Sequence, residues 1–349
     1  EEVVAFTFTE KAAAELKERI YRYVTQEIGT TEGLAGLYIG TIHGYCLELL
    51  QTHVPELFKY RVLPEIQNKL FVNRYSTQSG LTACPTSSVG TPFLKRGSNT
   101  GLYINALSVF REDDVDHDQI STGFKNAHNQ YVNLLQNHSW MDFTDVLVRA
   151  VNAIEQCATD DGLISLRQTL QNYKFITVDE YQDVNPIQEK LVNSIISYGA
   201  KLCVVGDDDQ GLYRFRGATI KNIFEFPNKF KKVKCRQVKL ETNYRSHPEI
   251  IDYYNQWMMN HDWSSPAHKT FRYPKVIKPR KDVFPKSPAV ITVSAENLDE
   301  WPIEIFTFLQ KLKKEGLKDW NQVAFLFRSV NNPNVKKLSL FLEENNIRL

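Results

Sequence analysis

The run Val3-Val4-Ala5-Phe6-Thr7-Phe8 is almost continuously apolar, which predicts a short strand buried on both faces. Ala13, Leu16 and Ile20 then recur at helical spacing, so a helix comes next. Tyr38-Ile39-Gly40-Thr41 reads as a second strand running into a helix over His43–Gln51. Alternation lapses from about residue 52 to residue 138. This stretch holds a Ser/Thr/Gly/Pro-rich segment, Ser76–Gly101, that reads as a long loop or partly disordered insertion, and it closes with an amphipathic helix over Gly123–Leu135. The pattern then resumes as helix Phe143–Cys157, strand Phe175–Val178, helix Pro186–Ser197 and strand Leu202–Val205. Strand–helix–strand–helix order implies an α/β fold built on a parallel sheet with helices on both faces. The interrupting stretch is then a subdomain inserted into that core.

A second alternating unit starts at Val238, with a helix over Pro248–Met258, a strand over Ala289–Val293, a helix over Pro302–Lys314, a strand over Val323–Phe327 and a helix near Val335–Glu344. The connection Lys269–Lys286 carries seven Lys/Arg against the single acid Asp282. It reads as a solvated linker, with a DNA-facing loop as the alternative.

Composition narrows the class. With 349 residues, 42% hydrophobic and 24% charged, the chain has the profile of a globular protein with two or three domains. A net charge of +1 leaves any nucleic-acid surface to be local. The five cysteines form no close C-x-x-C pair, which argues against a zinc ribbon or iron–sulfur cluster and predicts reduced thiols in a cytoplasmic protein. No apolar run approaches the roughly 18 residues of a membrane span. The first residue is Glu1 rather than Met, and a buried-type strand begins almost at once; the expectation is an internal piece of a longer protein.

Chemistry concentrates at two strand ends. Ile176-Thr177-Val178-Asp179-Glu180-Tyr181-Gln182-Asp183 places carboxylates at the C-terminal edge of a parallel sheet, where such folds bind ligands. Phosphoryl transfer needs one carboxylate to hold Mg²⁺ and another to orient and deprotonate water. Asp179 suits the first role and Glu180 the second. The next strand ends in Gly206-Asp207-Asp208-Asp209-Gln210, where Gln210 can contact a γ-phosphate without adding charge. Tyr213, Phe215 and Arg216 come soon after, mixing aromatics with a cation as single-strand stacking sites do; core packing is the alternative for Tyr213 and Phe215.

These blocks resemble the UvrD/Rep/PcrA group of superfamily 1 DNA helicases. Asp179–Asp183 looks like motif II, Gly206–Ala218 like motif III, Phe6–Ala13 like motif Ia, and Gly40–His43 like motif Ib. Asp142–Asp145 matches the short motif that precedes motif II, Leu240–Ser246 resembles motif IV, and Phe325–Ser329 resembles a strand of the second motor domain. The blocks stand in family order and cover nearly all of the chain outside the insertion. The resemblance implies a RecA-like (P-loop NTPase) sheet, with residues 1–51 and 139–234 as the first motor domain. Residues 52–138 would be an inserted, mostly helical subdomain and 235–349 the first part of a second RecA-like domain. It also implies ATP and Mg²⁺ as cofactors and single-stranded DNA and single-strand/duplex junctions as partners. The activity implied is 3′→5′ translocation and unwinding in DNA repair or replication. Phe8, Thr41 and His43 would line the single-strand track, Phe215 would stack on a base, and Arg216 would support it. Tyr244 would pack against adenine and Arg245 would reach the γ-phosphate, a role that suits a planar guanidinium. From the residues alone, His43 reads as a helix-start or core histidine rather than a DNA contact, and the resemblance brings the two readings level.

Three departures qualify the match. No G-x-x-x-x-G-K-[ST] phosphate loop occurs in the 349 residues, so it is expected upstream of Glu1, with motifs V and VI beyond Leu349, and this chain alone is expected not to hydrolyse ATP. Glu10 stands where the helicases often have Asn, and Gly211 where they often have Ser or Ala. Glu10 is reminiscent of RecB/AddA-like helicase–nuclease subunits, the same-class alternative, but Asp208-Asp209 stand where those subunits usually carry Pro-Lys. A degenerate, non-hydrolysing DNA-binding protein is the alternative from a different class. Asp179, Glu180, Gln210 and Arg245, all intact, argue against it.

Overall fold

β1 (Val3–Thr7) is the apolar opening run, and it is interior because strands flank it on both sides: β2 (Leu37–Thr41) and β5 (Phe175–Val178). The computed structural model describes residues 2–86, 92–113, 115–211, 221–230, 235–264, 272–280 and 288–347. With β6 (Lys201–Val204), these strands make a parallel sheet of order β2-β1-β5-β6. Parallel pairing forbids tight hairpins, so each return crosses through helices. α1 (Glu10–Ile28) carries the chain from β1 to β2; Thr9 caps its start and Gly29, at φ +80°, ends it in the left-handed region. α2 (Ile42–His53) leaves β2 directly.

Between α2 and β5 the chain makes its long excursion. β3 (Arg61–Val62) pairs with β4 (Trp140–Met141), closing a base from which α3 (Glu65–Arg74), α4 (Thr100–Glu112) and α5 (Thr122–Asn137) project. Phe71, Val72, Leu81, Tyr103, Leu107, Tyr131 and Leu135 are buried together there, in a core separate from that of the four-stranded sheet. The expectation of a long loop over Ser76–Gly101 is corrected. Ser79, Leu81 and Cys84 are buried, a short 3₁₀ turn spans Leu81–Ala83, and Thr100 and Gly101 already belong to α4. The polar composition conceals this packing because it depends on the Tyr103 hydroxyl, which donates to backbone carbonyls of both Ser79 and Ala127 at 2.6 and 3.0 Å.

α6 (Phe143–Gln156), α7 (Ile164–Asn172) and α8 (Pro186–Ile196) complete the cover of the sheet. Leu147, Val151, Leu166, Leu191 and Val192 pack with Val4, Ile176 and Val178 in one core. α8 begins with a capping box: Asn185 accepts from Gln188 N, and the Gln188 side chain accepts from Asn185 N. α9 (Lys221–Lys229) comes after β6 and packs on the acidic turn after β5 through Phe226 and Tyr181.

The chain divides into two compact units, Glu1–Gln237 with Ser264–Tyr273, and Val238–Trp263 with Pro274–Leu349. The second holds α10 (Pro248–Met259), α11 (Trp301–Lys314) and α12 (Pro333–Glu344), with a two-residue ladder of β7 (Thr242–Asn243) on β8 (Lys278–Pro279). Leu309 of α11 packs with Leu338, Leu342 and Ile347. The expected strands over Ala289–Val293 and Val323–Phe327 are not formed: neither segment has a ladder partner among the described residues, and Leu326 is 92% exposed. Apolar character alone does not make a strand; its amides need a neighbour to pair with.

Candidate functional site

Because all four sheet strands run parallel, their C-terminal ends share one edge. Thr41, Phe8, Asp179 and Gly206 leave it in the order of β2, β1, β5 and β6. β5 ends with the Asp179 amide bonded to the Phe6 carbonyl at 2.9 Å, and the chain then turns sharply. Glu180 sits at φ 52°, ψ 45°, a left-handed conformation that costs a residue with a Cβ about 1–2 kcal/mol. Contacts of the next residue offset that cost. Tyr181 is buried with its hydroxyl donating to Glu189 at 2.9 Å, and its amide bonds the Val205 carbonyl of the neighbouring strand end. Lys229 of α9 neutralises the same Glu189 with two 2.7 Å bonds.

The two acidic turns are joined by one buried side chain. Gln182, 1% exposed, donates from Nε2 to a Glu180 carboxylate oxygen and accepts the Asp207 amide on Oε1 at 3.0 Å. Asp207 in turn accepts the Asp209 amide at 3.1 Å and the Gln210 side-chain amide at 2.8 Å. A continuous polar line therefore runs from Glu180 through Gln182 and Asp207 to Gln210. Gly206 makes room for it, since a Cβ there would stand 2.9 Å from Gln182 Oε1. Neither Gln182 nor Gly206 stands out in the sequence as a site candidate. The one signal there is an amide between acids at a strand end.

Asp179 is half-buried, and its Oδ1 accepts the Glu180 amide at 3.0 Å; among the described residues Oδ2 accepts nothing. One available carboxylate oxygen on a ligand-binding edge fits Mg²⁺, which keeps most of its waters and takes few protein ligands. No cluster of three or more metal-ligating side chains occurs among the described residues, so the edge does not offer an all-protein cage. Asp183 is buried close by, its Oδ1 has no hydrogen-bond partner among the described residues, and burial, with the Glu180 charge, pushes its carboxyl up to about 6.

Asp208 and Asp209 face another way. Arg272 grips Asp209 with bonds of 2.8 and 3.1 Å, and the Tyr273 amide bonds Asp208 at 2.7 Å. Both side chains of the ion pair are nearly inaccessible, at 11% and 4% exposed. Nothing in the sequence marks Arg272 out, because its partner lies 63 positions away.

Of the candidates for a single-strand track, Phe8 is half-buried just past β1. Thr41 caps α2: its hydroxyl accepts the Gly44 amide at 3.1 Å and donates to Glu10 at 2.7 Å. His43, in the first turn of α2, is half-buried edge-on to Phe143 at 5.9 Å between ring centres, and burial lowers its pKa. Tyr213, Phe215 and Arg216 lie outside the described residues. Tyr244 and Arg245 belong to the second unit, where both are exposed; Asn243 caps their turn by accepting the Arg245 and Ser246 amides at 2.8 Å, and the Arg280 guanidinium lies 5.4 Å from the Tyr244 ring centre.

Several curated relatives match most of the chain. DNA helicase II of Haemophilus influenzae is 28% identical over 263 residues, covering 74% of this chain and 34% of its own length. ATP-dependent DNA helicase UvrD1 of Mycobacterium leprae is 27% identical over 271 residues, covering 72% of this chain and 32% of its own. ATP-dependent DNA helicase PcrA of Staphylococcus aureus is 25% identical over 276 residues, with coverages of 76% and 34%. The chain thus spans about a third of the length of the curated relatives it matches. The family profile described as the UvrD/REP helicase N-terminal domain matches residues 1–231, and together with the α/β sheet and its paired acidic turns this match makes the chain a member of the UvrD/REP helicase family.

Proposed function

We propose that this chain is part of the motor of an ATP-dependent DNA helicase that moves 3′→5′ on single-stranded DNA and opens duplexes at junctions. The observation that carries the reading is the pair of acidic turns on adjacent strand ends, Asp179–Glu180 and Asp207–Gln210, held as one unit by Gln182. In this reading Glu180 accepts a proton from a water that attacks the γ-phosphorus of ATP. The bond to the β–γ bridging oxygen breaks, and ADP and inorganic phosphate leave. Mg²⁺, when bound through Asp179, would offset charge on the phosphate oxygens. Gln210 would contact the γ-phosphate, Tyr244 the adenine, and Arg245 the transferring phosphoryl group.

The proposed organisation has residues 1–51 and 139–234 as the first motor domain, 52–138 as an inserted helical subdomain and 235–349 as the beginning of the second. The β3–β4 pairing at the base of the excursion and its separate core support that division. Phe8, Thr41, His43, Tyr213, Phe215 and Arg216 are proposed to contact single-stranded DNA. No described helix is long and apolar enough to cross a membrane, and the proposed setting is DNA repair or replication in the cytoplasm.

The test is Glu180→Gln in a full-length protein that supplies a phosphate loop. General-base catalysis contributes roughly 10²–10⁴-fold, so DNA-stimulated ATP hydrolysis should fall by about that factor while nucleotide binding persists. A loss below about tenfold would remove Glu180 from the role.

A further inference from the structure

We infer that Gln182 is a positioning residue that locks Glu180 to the Asp207–Gln210 turn, so that the carboxylate and the side chain of Gln210 change geometry together. The inference rests on the reading of Glu180 as the base.

A primary amide at 1% exposure must have both ends satisfied or it costs about 1–3 kcal/mol. Gln182 satisfies them on two different loops: Nε2 on the Glu180 carboxylate and Oε1 on the Asp207 amide. Neither contact serves the helical or strand frame, because the 3₁₀ turn over Tyr181–Asp183 and the sheet make their own backbone bonds. Glu180, in its left-handed backbone conformation, is thereby held by one oxygen, and among the described residues the other accepts no hydrogen bond. On the far side, the Asp207 carboxylate carries the Gln210 amide, so a shift of Gln210 passes to Asp207 and then through its backbone N–H to Gln182. Gly206 is the second, independent sign. A Cβ there would sit 2.9 Å from Gln182 Oε1 and 3.0 Å from Ile223 Cδ1, so the absence of a side chain at 206 is what admits the amide.

The chemistry of a neutral amide suits the place. A cation at 182 would neutralise Glu180 and a carboxylate would repel it, whereas an amide fixes the carboxylate while leaving its charge intact. Gln182 touches no reacting atom in this scheme, and its effect is exerted through Glu180.

The experiment measures DNA-stimulated ATP hydrolysis and melting temperature for Gln182→Met, Gly206→Ala, Glu180→Gln and Gln182→Met with Glu180→Gln, all in the full-length protein. Gln182→Met keeps the volume and removes both bonds; Gly206→Ala keeps the amide and pushes it aside. Each is expected to lower kcat about tenfold or more while KM for ATP stays within about twofold, the pattern of an interaction made at the transition state. In the Glu180→Gln background, Gln182→Met should add less than about twofold, because the group it positions is gone. Should Gln182→Met fail to fold, Gly206→Ala decides the matter. The inference is overturned if both variants keep wild-type kcat per folded molecule, if KM rises with kcat unchanged, or if the Gln182→Met loss is fully additive with that of Glu180→Gln. Wild-type turnover by Glu180→Gln alone would instead defeat the assignment of the base.

Discussion

Arg111 at the end of α4 and Asp142 at the start of α6 form a two-bond ion pair, Nη2–Oδ2 2.5 Å and Nη1–Oδ1 3.1 Å, with both side chains 7% exposed. It ties the helical excursion to the sheet's own layer. The Tyr131 hydroxyl lies 2.7 Å from the same carboxylate, and the Asp145 amide donates to it at 2.7 Å. The next residue, Glu112, extends the contact to Thr144 and, at 2.7 Å, to Asn185, the cap of the helix after the acidic turn.

Asp142→Asn should therefore destabilise the chain by about 3–5 kcal/mol at neutral pH, because it strands the buried guanidinium. Burial pushes the Asp142 carboxyl up, but the Arg111 charge and the hydrogen bonds outweigh it and hold its pKa below the usual value. A lowered folded-state pKa contributes stability above the unfolded value of about 3.9 and loses it as pH falls through the folded value. Urea midpoints of the two proteins should differ most at pH 7 and converge toward pH 3. A constant gap would show that the Asp142 charge contributes nothing.

Asp183 runs the opposite way. Burial first, and then the Glu180 charge, raise its pKa to about 6, so its contribution favours the folded state at low pH and is lost as pH rises through about 6. Asp183→Asn should raise the melting temperature at pH 7.5 and change it little at pH 4.5. Equal shifts at both pH values would count against an ionised, unsatisfied carboxylate at neutral pH.

Thr41→Ala removes the cap of α2 and should cost about 1 kcal/mol in a denaturant titration. Thr41→Ser should restore most of it. If Ser fails to restore it, the methyl group rather than the cap is what matters at this position.

Arg272 and Asp209 form a nearly inaccessible ion pair beside the acidic turn after β6. Alanine at either position should destabilise the chain, and the double variant should lose less than the sum, with a coupling of roughly 0.5–3 kcal/mol. Purely additive losses in thermal melts would show that the two-bond geometry contributes nothing of its own.

The strands of the sheet and several of the helices around it were legible because their signal is local. The apolar runs Val3–Phe8 and Phe175–Val178, and the helix expected over Phe143–Cys157, each match the observed element within a residue. The acidic turns were legible for the same reason, since each is a short run of acids and amides closing an apolar strand.

What the sequence left open depends on groups far apart in the chain. The buried turn around Leu81 was hidden in a polar stretch because Tyr103 satisfies carbonyls 24 positions away on either side. The segments at 289–293 and 323–327 carry apolar residues suited to strands but lack a ladder partner among the described residues. Arg111 with Asp142, Arg272 with Asp209 and Gln182 with Asp207 are separated by 31, 63 and 25 positions. By itself, then, the sequence determined the four strands of the sheet, several of the helices around them and which strand ends carry carboxylates, because hydrophobic periodicity acts over a few residues; α7 and α9 were not read from it. Only the tertiary structure decided which of those carboxylates are buried, which are paired and which face the open edge, because desolvation and partnership are properties of groups that meet only once the chain has folded.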